Sequence, residues 1–281
     1  MSSDWQPVIN DFKAVVPAVD FWSLRLVSDE TETLSVREGV VQPPSLGQSR
    51  GAHISFIDRG GMAYTATSAL TREGLKAACE QAQQWLELCR RHALIDAGRV
   101  PRPQRSGRYA STVATPWETW GLKEKLELLR EINHQLKIDD AIVDWQAHLS
   151  RWQTDVILVT SDGIHIEQAF HYISPGYAAV ANRGTQTQER TGGGWGSALQ
   201  GGLEQLAEFN FPDSARQVAE EAIALVNAPE CPDTRAALLL LPSQMMMQIH
   251  ESIGHPLELD RILGDERNYA GTSFVTPDMF G

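Results

Sequence analysis

The sequence lacks the residues and runs on which several classes of protein depend. It has three cysteines, too few for a disulfide framework, so we expect a protein of the reducing cytoplasm. Its 24 basic residues are outnumbered by 36 acidic ones, which argues against a nucleic-acid partner because such proteins neutralise phosphates with Lys and Arg. The longest apolar run, residues 236–241, is far shorter than the ~18 residues of a membrane-spanning helix, so we expect no membrane association. Residues 1–5 have neither the basic segment nor the apolar segment with which a signal peptide begins, so we expect no signal peptide.

The hydrophobic share of 42% is that of a globular protein, and the patterns predict both helices and strands. Helical spacing of apolar residues predicts helices over 4–16, 71–93, 122–136, 199–209 and 214–226. Runs of β-branched and aromatic residues predict strands over 19–27, 32–41, 52–58, 62–67, 143–150, 155–160 and 164–172. We therefore predict an α+β fold with mixed or antiparallel sheets and long helices.

Three parts follow from these patterns. Residues 1–112 form an N-terminal α/β unit and residues 113–229 a middle α/β unit. Residues 95–112, rich in Gly, Pro and Arg without periodicity, are interpreted as the linker or crossing loop between them. Residues 230–281 begin a third domain. In it the apolar residues 235–241 predict a strand that is buried on both faces, and Pro242 and Ser243 then open a helix.

The helix after that strand carries an HExxxH motif. Its residues are His250 and Glu251, followed by His255 five positions after the first histidine. Neutral imidazole is a good zinc ligand, and a neighbouring carboxylate can take a proton from water whose pKa the metal lowers to about 7. We therefore identify His250 and His255 as candidate metal ligands and Glu251 as the candidate catalytic base.

The spacing of the two histidines differs from the better-known HExxH pattern. In a regular helix an i, i+5 pair lies roughly 140° apart, so the two rings would point to different places. Gly254 can leave the helical conformation, and Pro256 disfavours it at His255, so we expect a helix break near Gly254 that brings the rings together. The alternative is two histidines that stabilise a helix C-terminus through the helix dipole.

A second candidate feature is the glycine-rich run at residues 192–196. Glycine-rich loops cradle phosphates when they join a strand to a helix. This run has no following Lys-Ser or Lys-Thr and does not fit GxGxxG, so nucleotide binding is the weaker interpretation. We interpret it as a loop near a ligand or a plain turn.

The sequence resembles the TldD/PmbA family of metalloproteases, also called modulators of DNA gyrase or peptidase family U62. The resemblance rests on His250-Glu251-Ser252-Ile253-Gly254-His255 followed by Leu257-Glu258 and Asp260, which is similar to the family pattern HExxGHxLExD. Glu38-Gly39-Val40-Val41, Glu220-Glu221-Ala222, residues 229–233 and the glycine-rich run at 192–196 support it. The intact motif indicates a TldD-type subunit, since TldE/PmbA-type subunits lack it.

The resemblance implies a cytoplasmic zinc metallopeptidase that cuts unstructured or short peptides. It implies Zn²⁺ on His250 and His255, Glu251 as general base, and residues 230–281 as the start of the catalytic C-terminal domain. It also implies a peptide substrate and a homodimer or a heterodimer with a TldE/PmbA-like subunit, with no nucleic acid and no membrane.

The family's third zinc ligand is a Cys in a long, largely β region after the motif. This sequence ends at Gly281, so we expect that region to lie beyond it. Glu258, Asp260 and Asp265 are the substitutes within the chain. The alternative function is a non-catalytic or truncated relative that acts as a scaffold or peptide-binding subunit.

Overall fold

A computed structural model describes residues 4–93, 95–102, 104–193, 195–266 and 271–280. The chain forms two compact units, Met1–Ala228 and Pro229–Gly281. Within the described residues, no helix has both the length and the apolar character needed to cross a bilayer.

The first unit is a nine-stranded sheet with five α-helices among its described residues. The strands are β1 (Phe21–Arg37), β2 (Val40–Val41), β3 (Ser45–Asp58), β4 (Gly61–Thr67), β5 (Gly107–Ala110), β6 (Ile142–Thr160), β7 (His165–Arg183), β8 (Gln186–Gly193) and β9 (Leu199–Gln200). The helices are α1 (Gln6–Val15), α2 (Arg72–His92), α3 (Leu122–Leu136), α4 (Gln205–Glu208) and α5 (Ala215–Val226). The predicted α+β class with long helices is confirmed.

The sheet has the order β4-β3-β1-β6-β7-β5, with β2 beside β1 and both β8 and β9 beside β7. All pairs are antiparallel except β5 with β7, so the sheet is mixed. The strand prediction was wrong in one respect: 19–27 and 32–41 belong largely to the single strand β1, and 143–150 and 155–160 to β6. The interval between each predicted pair is polar, but continuous cross-strand pairing keeps it extended.

Two apolar clusters cover opposite ends of the same face of the sheet. Alternate side chains of β1 point to this face, and Leu24 and Leu26 pack in a cluster that includes residues of α1 and α2. Farther along the strand, Leu34 and Val36 pack in a second cluster that includes residues of α3 and α5. Each cluster buries aliphatic and aromatic side chains completely, which is the main favourable contribution to folding.

A band of polar residues separates the two clusters on this face. Ser28, Glu30 and Glu32 of β1 stand directly opposite residues of β6 in the antiparallel register. Those partners are Asp155, Gln153 and Arg151, respectively. We call these six residues the polar belt. The α-helices cover the sheet on either side of the polar belt.

Two other segments of the first unit differ from the prediction. The segment 95–112, interpreted as a linker, contains the edge strand β5, and the predicted helix 199–209 is reduced to α4 after the short strand β9. In the glycine-rich run, Gly192 and Gly193 end β8. Gly194 lies outside the described residues. A Cβ on Gly193 would lie 2.2 Å from the carbonyl oxygen of Pro175, so close backbone packing requires this glycine.

The second unit is small, and the regular structure among its described residues is helical. It contains α6 (Pro242–Ile249), a π-helical turn (His250–Gly254), a 3₁₀ turn (His255–Leu257) and α7 (Leu259–Leu263). The predicted buried strand at residues 235–241 is wrong, because this segment has no regular structure and Leu239 is 88% exposed. A strand needs partners for its backbone N–H and C=O groups, and within the described residues none pairs with it.

The division at residue 112 stays a prediction. The sheet passes through both proposed units, since β1 and β6 are paired over most of their length.

Candidate metal centre

The candidate ligands lie on a helical segment that changes its winding at the motif. Pro242 occupies the first position of α6. A backbone N–H at this position has no partner within a helix, so proline is tolerated there. At His250 the α-helix gives way to the π-helical turn. The expected break at Gly254 is wrong, because Gly254 has φ −59° and ψ −62° and His255 has φ −62° and ψ −42°, both right-handed helical values. The chain leaves the helical conformation only at Glu258, after Pro256 and Leu257.

The π-helical turn aligns the two histidines by a different route from the expected one. In a π-helix the backbone hydrogen bonds join residues five apart, so an i, i+5 pair lies on one face. The backbone N–H of His255 donates to the carbonyl oxygen of His250, which is this bond. The ring centroids of His250 and His255 are 4.3 Å apart, with the planes at 68°. The rings therefore face one location although the helix does not break.

Three donor groups converge at this location. One ligand atom from each of His250, Glu251 and His255 lies within 4.8 Å of the others. The His255 side chain is 27% exposed, whereas those of His250 and Glu251 are mostly exposed. Imidazole nitrogen and carboxylate oxygen are donors that zinc and other divalent transition metals accept. The donor set therefore fits a divalent metal ion with at least one position open.

Glu258 and Arg261 fix the orientation of one ring. The Nδ1 atom of His255 lies 2.9 Å from Oε1 of Glu258, and Nε of Arg261 lies 2.5 Å from the other carboxylate oxygen. The hydrogen bond with His255 and the charge of Arg261 lower the pKa of the Glu258 carboxyl group. A carboxylate that holds Nδ1 leaves Nε2 free to bind a metal, as in carboxylate–histidine–metal triads. The sequence signal for this arrangement is the carboxylate three residues after His255, on the same helical face.

A cavity of about 390 Å³ adjoins the three donors. Its walls include Pro256, Arg261 and residues 272–274. Ser273 holds the returning segment in place, because its hydroxyl group donates to the carbonyl oxygen of Pro256 at 2.6 Å. The cavity has room for part of a substrate beside the donors.

The other candidate ligands do not join this cluster. Glu258 is occupied by His255 and Arg261, and Asp260 accepts the backbone N–H of Arg261. Among the described residues, the His, Cys, Asp and Glu side chains that could hold a metal as a group are His250, Glu251 and His255. Cys79 is buried in α2, where burial raises the pKa of its thiol to about 11, so it is protonated at neutral pH.

Two family models match the chain. The model described as PmbA/TldA metallopeptidase domain 1 matches residues 22–85. The model of the PmbA/TldA metallopeptidase central domain matches residues 115–226. Together they cover most of the first unit.

Curated relatives are named metalloproteases. A protein of Methanothermobacter thermautotrophicus is 24% identical over 250 residues, which are 87% of this chain and 52% of the relative. A protein of Synechocystis is 26% identical over 86% of this chain and 51% of the relative. The chain therefore spans about half the length of these relatives.

Solved structures share the fold. A structure described as a modulator of DNA gyrase from Thermotoga maritima has a TM-score of 0.56 at 15% identity, over 81% of this chain and 50% of that one. A second modulator of DNA gyrase, from Bacteroides thetaiotaomicron, has a TM-score of 0.57 at 12% identity, with the same shares covered. TldE from Thermococcus kodakarensis has a TM-score of 0.50 at 15% identity, over 80% of this chain and 47% of that one.

Proposed function

Because the chain belongs to the PmbA/TldD metallopeptidase family, we propose that it is a TldD-type zinc metallopeptidase that hydrolyses peptide bonds in unstructured or short peptides. The observation that carries the proposal is the convergence of His250, Glu251 and His255 within 4.8 Å on the π-helical turn. That group supplies two imidazole nitrogen ligands and one carboxylate in a single short segment.

Each residue of the group has a distinct role in this proposal. His250 and His255 hold the metal, and Glu258 keeps the His255 ring in the orientation that presents Nε2. Zinc, when bound, supplies a Lewis acid that makes water acidic near neutral pH. Glu251 takes a proton from the attacking water and delivers it to the leaving amine. The exposed carboxylate of Glu251 has access to both water and substrate.

Substitution of Glu251 tests this assignment directly. We expect Glu251→Gln to keep the zinc stoichiometry of the parent chain and to lower turnover of an unstructured test peptide by roughly a hundredfold or more, because general-base catalysis contributes about that much. We expect His250→Ala to lose zinc. His134→Ala, which removes an exposed histidine of α3, is the control and should change neither quantity. Full peptide cleavage by Glu251→Gln would reject the role of Glu251.

A second candidate function is a non-catalytic scaffold or peptide-binding subunit. Its support is that, among the described residues, the metal-binding group consists of only two histidines and the carboxylate assigned as base. The same measurements separate the two functions. A parent chain that takes up no zinc from excess metal, or that binds zinc without cleaving peptide, favours the scaffold.

The partners and the location belong to the same proposal. The similarity to a solved TldE supports a dimer of two chains of this family, either identical chains or a TldD-type with a TldE-type subunit. The cytoplasmic location and the assignment of residues 230–281 to a catalytic domain stay predictions from the family resemblance.

A further inference from the structure

The middle of the large sheet carries a second cavity, within the first unit. It has a volume of about 310 Å³ and lies beside the polar belt. Trp117 and Ile173 contribute apolar walls, both largely buried. Arg151 and Glu118 contribute charged groups, and Gly201 contributes to the rim. No step proposed for the metal centre uses these residues.

Arg151 is poorly partnered for a buried cation. Its side chain is 15% exposed, and its Nε atom is buried without a hydrogen-bond partner among the described residues. Among the described residues, the Arg151 side chain makes one hydrogen bond, which Nη1 donates to Oε1 of Gln153 over a long distance of 3.3 Å. The carboxylates of Glu118 and Glu30 lie at 3.6 and 3.7 Å, outside normal hydrogen-bond distance. Buried N–H groups are nearly always satisfied, so this donor is open to an acceptor from a molecule that enters the cavity.

The charges around the cavity select the kind of acceptor. Glu30 and Glu118 already flank the guanidinium group of Arg151, and Glu32 accepts the indole N–H of Trp117 at 2.8 Å. The whole chain has a formal charge of −12. Lys125 lies over the Trp117 ring and interacts with Glu32, Glu118 and Arg151, so three carboxylates stand against two cations and the local charge is one negative. A further carboxylate on Arg151 would add to this negative charge, whereas a neutral carbonyl oxygen would not. Positive charges on either side of that carbonyl would be attracted to the carboxylates.

We propose that this cavity binds an extended segment of a basic peptide. One backbone carbonyl oxygen of the peptide accepts the Nε–H of Arg151, and the adjacent apolar side chain packs against Trp117 and Ile173. Flanking Lys or Arg residues lie near Glu118 and Glu30. The choice of a peptide as ligand rests on the proposed function, but the cavity and the unpartnered donor do not.

Calorimetric titration with three blocked peptides tests the proposal in the Glu251→Gln chain, in which cleavage is not expected. The peptides are acetyl-Lys-Phe-Lys-amide, acetyl-Lys-Gly-Lys-amide and acetyl-Glu-Phe-Glu-amide. We expect the first to bind best, because it combines the apolar side chain with positive charge. Adding Arg151→Met should weaken its binding at least tenfold, the loss expected for a hydrogen bond to a charged donor. Arg151→Lys should also weaken it, because Lys has no equivalent of the buried Nε–H.

Matched measurements distinguish failure of this site from failure of the proposed function. Arg216→Met removes the same charge from the exposed surface of α5 and should leave peptide affinity unchanged. Circular dichroism checks that each variant is folded. Equal affinity of the first peptide for the Glu251→Gln chain with and without each Arg151 substitution, or tightest binding of the acidic peptide, would overturn the proposed site. Neither result bears on zinc uptake or on the role of Glu251, which are measured separately.

Discussion

At the scale of single residues, a carboxylate outside the three candidate ligands orients one ring of the candidate metal centre. Glu258 holds Nδ1 of His255 at 2.9 Å and is itself held by Arg261, which is only 10% exposed. A ring fixed in this way does not lose rotational freedom when the metal binds, so the pair preorganises the site.

We predict that Glu258→Gln weakens zinc binding by about tenfold or more while leaving the helical content unchanged, because partners of this kind contribute that much to metal affinity. Competition with a chromophoric chelator at pH 7.5 measures the change. Glu230→Gln removes one negative charge from an exposed position of the same unit and should retain the affinity of the parent chain. If the two variants bind zinc equally well, Glu258 does not position His255.

The sequence allowed the identities of the converging residues to be predicted but not the way they converge. Imidazole and carboxylate chemistry points to His250, Glu251 and His255 from the sequence alone. The turn that aligns them is a matter of backbone hydrogen bonding, and no residue type specifies a π-helical turn. We predicted a break because Gly254 and Pro256 allow one. A residue that allows several conformations does not determine which one forms, and packing and hydrogen bonding select it.

At the scale of elements, Glu204 joins two segments that are distant in sequence. One carboxylate oxygen accepts the N–H of Thr115 and the other accepts the N–H of Gly202, each at 2.7 Å. Desolvation raises the pKa of Glu204, but these and other backbone hydrogen bonds outweigh it and lower the pKa overall. A lowered pKa means that the folded state prefers the charged form. Its stabilising effect is present above the unfolded value of about 4.3 and is lost as the pH falls through the folded value.

We predict that Glu204→Gln lowers the free energy of unfolding by about 1 kcal/mol at pH 7, since the amide can replace only one of the two acceptors. The difference from the parent chain should shrink as the pH falls below the unfolded value of about 4.3 towards the lowered folded pKa, because protonation of Glu204 then removes the preference of the folded state for the charge. Urea unfolding at pH 7 and pH 3.5 measures both values. Glu208→Gln, at an exposed position of α4, is the control. A difference that is the same at both pH values would contradict the proposed role of the charge.

Predictions of the elements succeeded where apolar periodicity is strong and failed where tertiary contacts decide. The helices α2, α3 and α5 have a continuous apolar stripe, and their predicted ranges are close to those observed. The polar interior of β1 looks like a turn in the sequence, but the neighbours β3 and β6 hold it in the sheet. The apolar segment 235–241 shows the reverse, since composition favours a strand and the described residues supply no partner for one.

At the scale of the whole molecule, the described residues of the second unit carry many exposed apolar side chains. Its exposed residues include several leucines and methionines, among them Leu238, Leu239, Met246, Met247 and Leu259. Exposed apolar side chains that occur together, rather than singly, favour association with other apolar surfaces. This feature suits a protein that is proposed to pair with another chain of its family.

We predict that the double variant Leu238→Lys, Leu239→Lys binds less of an apolar dye such as ANS, with an unfolding midpoint close to that of the parent chain. These side chains are 80% and 88% exposed, and substitutions at such positions change stability by less than about 0.5 kcal/mol. Leu46→Lys, at an isolated exposed position of β3, should change dye binding little. A drop in the midpoint of several degrees would show that the two leucines are packed against other residues.

The strands that both apolar clusters share have a mechanical consequence. β1 and β6 run unbroken from beneath α1 and α2 to beneath α3 and α5, so neither helical layer has a sheet of its own. A fragment that ends between residues 85 and 115 would lack β6, α3 and α5. The end of β1 that carries Leu34 and Val36 would then lose its helical cover and its neighbouring strand. We therefore expect the first unit to unfold in a single cooperative transition. Because the strands are continuous, a displacement at one end of the sheet should reach the other end without an intervening hinge.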